Sequence, residues 1–113
     1  CAYNKLRTLV VSPDRVGKSF YCLNNQLTSL VGCSMIIEDY FDLSDNPISI
    51  IDTSIFIMSG ICIDNTKFDY EIKSLSQEKL RVLFEHGVDY VVFRKDGSIN
   101  DSRLERLFKD FNM

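Results

Sequence analysis

Apolar and polar positions form blocks along the chain, and the spacing within each block predicts its secondary structure. Residues 6–11 are mostly apolar and β-branched and end at a Ser-Pro pair, which predicts a buried strand. Between Val16 and Val31 the apolar residues recur at helical spacing, with Gly32 as a C-cap and Asp14 as an N-cap, which predicts an amphipathic helix. Residues 33–37 form a second apolar run and predict another strand.

The middle of the chain reads as strands separated by turns. Residues 39–47 are polar and turn-rich, and residues 48–51 and 55–58 then predict a buried strand, continuous or broken near Asp52. Phe68, Tyr70 and Ile72 alternate with charged residues, which predicts an edge strand or, alternatively, an ordered loop.

Two helices with a strand between them are predicted near the end of the chain. Ser74 and Gln77 form a capping box that begins one helix, and Gly87 ends it. Residues 88–93 predict a short strand, and a second capping box at residues 102–105 begins the last helix. One face of that helix carries Leu104, Leu107, Phe108 and Phe111.

The resulting element order is β-α-β-β-(β)-α-β-α. Alternating strands and helices predict an α/β fold, a three-layer α/β/α sandwich around a mostly parallel, flavodoxin-like sheet. Residues 1–113 are expected to form a single domain, and the start at Cys1 suggests that it was excised from a longer chain. We expect no internal repeat.

Composition and charge argue against several classes of function, namely nucleic-acid binding, membrane association and metal binding. The formal net charge is −3 with dispersed basic residues, so this domain is not expected to bind nucleic acid directly. No apolar run is long enough to span a bilayer, which predicts no membrane association and a cytoplasmic location. The four cysteines lack metal-ligand spacing and are expected to be reduced thiols in the core, with no metal bound.

Residues 12–19 are one residue short of a phosphate-binding loop. Gly17, Lys18 and Ser19 match its second half, where lysine reaches phosphates and the hydroxyl binds Mg²⁺. Ser12 replaces the first glycine, Pro13 removes one N–H donor, and residue 14 is an aspartate. The alternative interpretation places these residues in the solvated first turn of a helix.

The chain also resembles a response-regulator receiver, a five-stranded flavodoxin-like domain. The resemblance covers residues 6–32 and, more strongly, residues 78–108, where a helix is followed by His86-Gly87, a β-prone run, Lys95 and a final helix. It implies that Lys95 contacts a phosphoryl group, that Asp52 is the phosphoacceptor and that Ser59 is the hydroxyl residue. Asp14 matches one of the two acids that hold Mg²⁺ in receivers.

The chain departs from that family pattern. Asp52 and Ser59 lie too close in sequence to hold the intervening helix, so a degenerate member that is not phosphorylated in the usual way is implied. Asp52 has an alternative interpretation as a strand-end residue. His86 is better explained by a helix C-terminus, where the dipole favours histidine, than by catalysis.

These observations predict a non-catalytic, receiver-like regulatory or protein-interaction domain without a cofactor, acting through partner docking or dimerisation. The last helix and the edge of residues 88–93 are its expected contact surface. The alternative is a small nucleotide- or phosphate-binding domain that uses residues 12–19, and a third possibility is a fragment of a larger enzyme. An active site would require several of a set of candidate residues to converge in one crevice: Ser12, Asp14, Asp52, Ser59 and Lys95.

Overall fold

The computed structural model describes residues 15–28, 30, 35–51 and 53–113. Within this part of the chain, short strands come first and helices follow. The strands are β1 (Arg15–Val16), β2 (Phe20–Tyr21), β3 (Met35–Ile37), β4 (Tyr40–Asp42), β5 (Ile55–Ile57) and β6 (Gly60–Cys62). The helices are α1 (Tyr70–Lys73), α2 (Gln77–His86) and α3 (Asp101–Asp110).

The strands form two parallel sheets, one in the order β1-β3-β5 and the other in the order β2-β4-β6. Ile36 of β3 pairs with Phe56 of β5, twenty positions later, and Phe41 of β4 pairs with Ile61 of β6 at the same separation. The preceding step, from Arg15 to Ile36, is one residue longer. The chain therefore winds through a repeated coil of about twenty residues, and each coil adds one strand to each sheet. This is a short parallel solenoid.

Each coil turns its apolar residues inward at equivalent positions. Phe20, Phe41 and Ile61 are aligned by the pairing of β2, β4 and β6. The rings of Phe20 and Phe41 lie 5.9 Å apart between centroids, and Phe41 meets Phe84 of α2 edge-on at 6.4 Å. Each inward position of the coil contributes one such stack of apolar side chains. The burial of these stacks supplies the hydrophobic stabilisation that holds successive coils together.

A polar corner follows the second strand of each coil. Asn24, Asp45 and Asn65 occupy equivalent places, and each has a positive φ, of 56°, 59° and 54°. Asparagine and aspartate tolerate this left-handed conformation better than other residues with a side chain. The next residue of each coil is buried and polar: Asn25, Asn46 and Thr66.

Asn46 joins two coils through its buried amide. Its Nδ2 donates to the carbonyl oxygens of Cys22 and Leu43, both at 2.9 Å. Its Oδ1 accepts from the backbone N–H of Leu27 at 3.1 Å. One side chain thereby satisfies backbone groups of its own coil and of the preceding coil.

The helices close the end of the solenoid at β5 and β6. Gln77 of α2 accepts a hydrogen bond from Ile61 N–H at 2.8 Å and donates to Ile61 O at 2.9 Å, as a neighbouring strand would. Arg81 donates from Nη1 to Met58 O at 2.8 Å. Side chains of α2 therefore occupy backbone groups that an open sheet edge would expose. α3 packs on α2 with a buried stripe of Leu104, Leu107 and Phe108.

The structure confirms a mixed α/β chain with parallel strands, but the strands and helices are arranged differently from the prediction. In the described residues, three strand pairs stack without intervening helices, and the helices follow them instead of covering both faces of one sheet. The three-layer, flavodoxin-like sandwich is therefore not what this part of the chain shows, and the expectation of no internal repeat was wrong. The strand predicted over residues 6–11 lies outside the described residues.

The predicted helix over residues 16–31 was wrong wherever the structure describes it. Those residues form β1, a corner, β2 and a loop, in which Phe20, Leu27 and Leu30 face the core. Their spacing fits a helix face and a coil interior equally well, and stacking against the next coil selects the second. The strand predicted over residues 48–51 is a loop for the same reason, and the turn predicted over residues 39–47 contains β4.

The C-terminal predictions succeed for helices and fail for strands. α2 ends at Gly87 as predicted, although Ser76 and not Ser74 caps its start. α3 is present, but Asn100 caps it by accepting from Arg103 N–H, so the capping box predicted at residues 102–105 was wrong. Residues 88–91 form turns in which Val91 has a φ of +51° and is 57 % exposed, so the predicted strand over residues 88–93 is wrong. α1 replaces the edge strand predicted around residue 70.

Candidate functional site

Gly17, Lys18 and Ser19 lie at the corner between β1 and β2. Gly17 and Lys18 are exposed, and the chain continues from Ser19 into a strand. Ser19 donates from Oγ to Asp39 Oδ2 at 3.0 Å, and its Oγ accepts from Tyr40 N–H at 3.3 Å. The phosphate-loop prediction depended on a helix N-terminus at this place, and the structure has a strand there instead.

The other predicted site residues do not converge. Ser59 is exposed at the corner between β5 and β6, where its N–H donates to Asp39 O at 3.0 Å. Lys95 is exposed in a turn next to Gly97, which borders the loop of Ser49 and Ile50. Ser12, Asp14 and Asp52 lie outside the described residues. Of the candidates, Ser19 and Ser59 are brought to the two sides of Asp39, and Lys95 is placed elsewhere.

The receiver resemblance loses two of its structural supports. The helix over residues 16–31 and the strand over residues 88–93 are absent from the described chain. The resemblance itself stays a prediction.

The β2-β4-β6 sheet presents a polar outer face that sequence reasoning missed. Alternation along each strand sends Phe20, Phe41 and Ile61 inward and their successors outward. Tyr21, Asp42 and Cys62 are therefore aligned in one row across three strands. Tyr21 is 51 % exposed, and Asp42 and Cys62 are half-buried.

Tyr40 lies beside that row, because β6 has a glycine opposite it. A Cβ added at Gly60 would come within 3.0 Å of Tyr40 Cε2 and 3.1 Å of Gln77 Oε1. The missing side chain lets the Tyr40 ring approach the backbone of β6. We call the surface formed by Tyr21, Tyr40, Asp42 and Cys62, with the flanking Asp39 and Asp64, the tyrosine face.

The electrostatic environment of the tyrosine face is negative. Burial raises the pKa of the Tyr40 hydroxyl, and the neighbouring Cys62, Asp42 and Asp64 raise it further. Burial also raises the pKa of the Cys62 thiol, against a backbone hydrogen bond at Asp64 that lowers it. Both groups are protonated at neutral pH, which leaves the aspartates as the charged groups of the face.

Hydroxyl groups hold two of these aspartates in place. Asp39 Oδ2 accepts from Ser19 Oγ, and Asp42 Oδ1 accepts from Ser44 Oγ at 2.7 Å and from Ser44 N–H at 2.9 Å. The nearby Glu38 differs, because Arg15 forms an ion pair with it. The face is thus lined by positioned carboxylates whose charge no described salt bridge neutralises.

Two hollows lie away from the tyrosine face. One, of about 100 Å³, is lined by apolar residues that include Ile51, Val88 and Val92. The other is an open groove of about 300 Å³ between α2 and β5, lined by Phe56, Met58, Val82, Met113 and charged side chains of α2. Ser59 and Lys95 line neither of them, so these hollows do not assemble the predicted site.

The described residues contain neither a metal-binding cluster nor a membrane-spanning helix. Histidine, cysteine, aspartate and glutamate side chains nowhere gather there in groups of three or more with metal-binding geometry. Among residues 15–28, 30, 35–51 and 53–113, no helix has the length and apolar character needed to cross a bilayer. Comparison of the chain with known protein families, with curated proteins and with solved structures gives no match.

Proposed function

We propose that this chain is a non-catalytic protein-interaction domain that docks a partner through the tyrosine face of a short solenoid. One observation carries the proposal. The strand register aligns Tyr21, Asp42 and Cys62 outward on adjacent strands, above an apolar interior. Stacked repeats use such surfaces for binding, and tyrosine combines a large apolar ring with a polar tip suited to interfaces.

The coil sequence supports a binding role. The pattern apolar-x-apolar-x-x-Asn/Thr-x-apolar recurs from Phe20, from Phe41 and from Ile61. It resembles the core of leucine-rich repeats, in which strands line a curved surface. Successive coils place new side chains on one face at a regular spacing, so substitutions between the apolar positions change recognition without disturbing the fold.

The interaction role is the one predicted from the sequence, but the proposed contact surface is the tyrosine face instead of the last helix and the edge of residues 88–93. The last helix is less suited to docking, because Leu104, Leu107 and Phe108 are buried within the domain and its remaining positions are mostly polar. The regulatory setting and the flavodoxin-like sheet implied by the receiver resemblance, and the cytoplasmic location predicted from the apolar pattern, are not needed for this role.

Site-specific photo-crosslinking tests the proposal. Benzoylphenylalanine is placed at Tyr21, and the control places it at Tyr70, which is 84 % exposed on α1. We expect the probe at position 21 to give a discrete adduct in extracts of the source cells that excess unmodified domain abolishes. An adduct between two copies of the chain would identify the partner as a second copy.

Two controls decide the outcome: competition by a variant domain and labelling from position 70. Excess domain carrying Tyr21→Ala and Asp42→Asn should compete less well than the unmodified domain if the tyrosine face is the contact. Equal labelling from positions 21 and 70, or equal competition by both proteins, would refute docking through this face.

A further inference from the structure

We propose that the tyrosine face binds a short arginine-bearing segment of a protein partner. This inference rests on the proposed interaction role and specifies the chemistry of the partner. Its first support is charge. Asp42 and Asp64 act on the Tyr40 hydroxyl, Asp42 is paired across the strands with Tyr21, and Asp39 precedes Tyr40 at the start of β4. A cationic segment complements this surface, whereas phosphate groups would be repelled.

The carboxylates are positioned and retain capacity to bind. One oxygen of Asp39 and one oxygen of Asp42 accept from serine hydroxyls. An ionised carboxylate has about four acceptor positions, so each can still accept hydrogen bonds from a guanidinium. Because the serines fix these side chains in advance, less rotamer entropy is lost when a ligand arrives.

The tyrosine rings select arginine over lysine. Tyr21 is exposed at one end of the row, and Tyr40 lies over Gly60 beside it. A guanidinium can stack on an aromatic ring while its N–H groups bond a neighbouring carboxylate, and a more strongly hydrated ammonium does this less well. Aromatic and acidic side chains within one row thus match the two properties of arginine.

The dimensions of the row limit the segment. Tyr21, Asp42 and Cys62 stand on three adjacent strands, which are separated by about 4.8 Å each. The row therefore spans about 10 Å, the length of about three extended residues. A compact motif with one or two arginines would cover it, crossing the strands of the sheet.

Fluorescence polarisation with defined peptides tests the inference. The probe is a fluorescein-labelled peptide in which arginine alternates with glycine, and its analogues carry lysine or glutamate in place of arginine. We expect the arginine peptide to bind about threefold more tightly than the lysine peptide, and the glutamate peptide not to bind. Tyr21→Ala should remove most of the preference for arginine, and Tyr70→Ala should leave it unchanged.

A charge-matched pair of variants separates local recognition from general attraction. Asp39→Asn with Asp64→Asn removes two charges from the face, and we expect about fivefold weaker binding. Asp89→Asn with Glu105→Gln removes two exposed charges elsewhere and should change binding much less, because salt screens distant charges. If the first double variant is unstable, the single pair Asp64→Asn and Glu105→Gln gives the same comparison.

Several results would overturn the inference. Equal weakening by both double variants would show general electrostatic attraction, and equal binding of lysine and arginine peptides would show that the rings do not contribute. Loss of peptide binding in millimolar Ca²⁺ but not in Na⁺ of equal ionic strength would identify a cation site instead. A specific photo-crosslink at Tyr21 without arginine-peptide binding would retain the interaction role and reject this partner, whereas absence of both would reject both proposals.

Discussion

Replacing Asn46 by alanine should destabilise the solenoid more than the same replacement of Thr66, which occupies the equivalent corner position of the next coil. Asn46 is 1 % exposed, and its amide connects the coil of β3 and β4 to the preceding coil. In the Asn46→Ala variant the N–H of Leu27 loses its hydrogen bond, and so does the carbonyl of Leu43. The carbonyl of Cys22 keeps a hydrogen bond from Asn25 Nδ2 at 2.9 Å.

The magnitude follows from these unpaired groups. Each buried backbone group left without a partner costs about 1–3 kcal/mol, so two groups together cost about 3 kcal/mol. The matched control is Thr66→Ala, because Thr66 occupies the equivalent place in the next coil but bonds only within its own coil, from Oγ1 to Ile63 O at 2.6 Å. That variant should lose about 1 kcal/mol.

Urea unfolding monitored by circular dichroism measures both losses. With a slope m of about 2 kcal/mol/M, the midpoint should fall by about 1.5 M for Asn46→Ala and by about 0.5 M for Thr66→Ala. Equal slopes for the three proteins would show that the shifts report stability alone. A midpoint shift for Asn46→Ala no larger than that for Thr66→Ala would refute the assignment of Asn46 as the link between coils.

Four further outcomes are expected. Asn24→Ala should cost about 1 kcal/mol and Asn24→Gly much less in thermal unfolding, because the residue has a φ of 56°. Gln77→Ala should cost about 1–2 kcal/mol and increase light scattering, since it exposes the edge of β6; unchanged stability would contradict the edge-closing role. Iodoacetamide should label Cys62 only above the pH range of an ordinary thiol, because the pKa of this thiol is raised. Asp42→Asn should lower the pH at which labelling begins, because removing a negative charge favours the thiolate. Peptide mapping measures the labelled fraction of Cys62 in both proteins. ATP with Mg²⁺ should leave the melting temperature unchanged, since residues 17–19 do not begin a helix, and an increase would restore the phosphate-loop hypothesis.

The sequence contained the repeat, although secondary-structure patterns obscured it. Asn24-Asn25, Asp45-Asn46 and Asn65-Thr66 recur at nearly equal separations, and each pair begins four residues after the inward-facing strand residue Phe20, Phe41 or Ile61. In the sequence, Cys1, Asn4 and Leu6 have the same spacing as Cys22, Asn25 and Leu27. A search for periodicity near twenty residues would have found the coil and with it the outward positions of the tyrosine face.

The amino-acid sequence by itself determined the elements whose stability is local. α2 and α3 were predictable from their apolar stripes and, for α2, from the glycine at its end, because helix hydrogen bonds join residues four positions apart. Their N-caps, Ser76 and Asn100, each lie two residues from the predicted Ser74 and Ser102. The parallel direction of strand pairing was also predictable from the sequence, although the residues that pair were not.

Only the tertiary structure decided which residues between 15 and 69 became strands and which of their side chains faced solvent. Each short strand finds its hydrogen-bond partners about twenty residues away, so no local pattern specifies it. The tyrosine face follows from that register, since Tyr21, Asp42 and Cys62 are distant in sequence and become neighbours only when the coils stack.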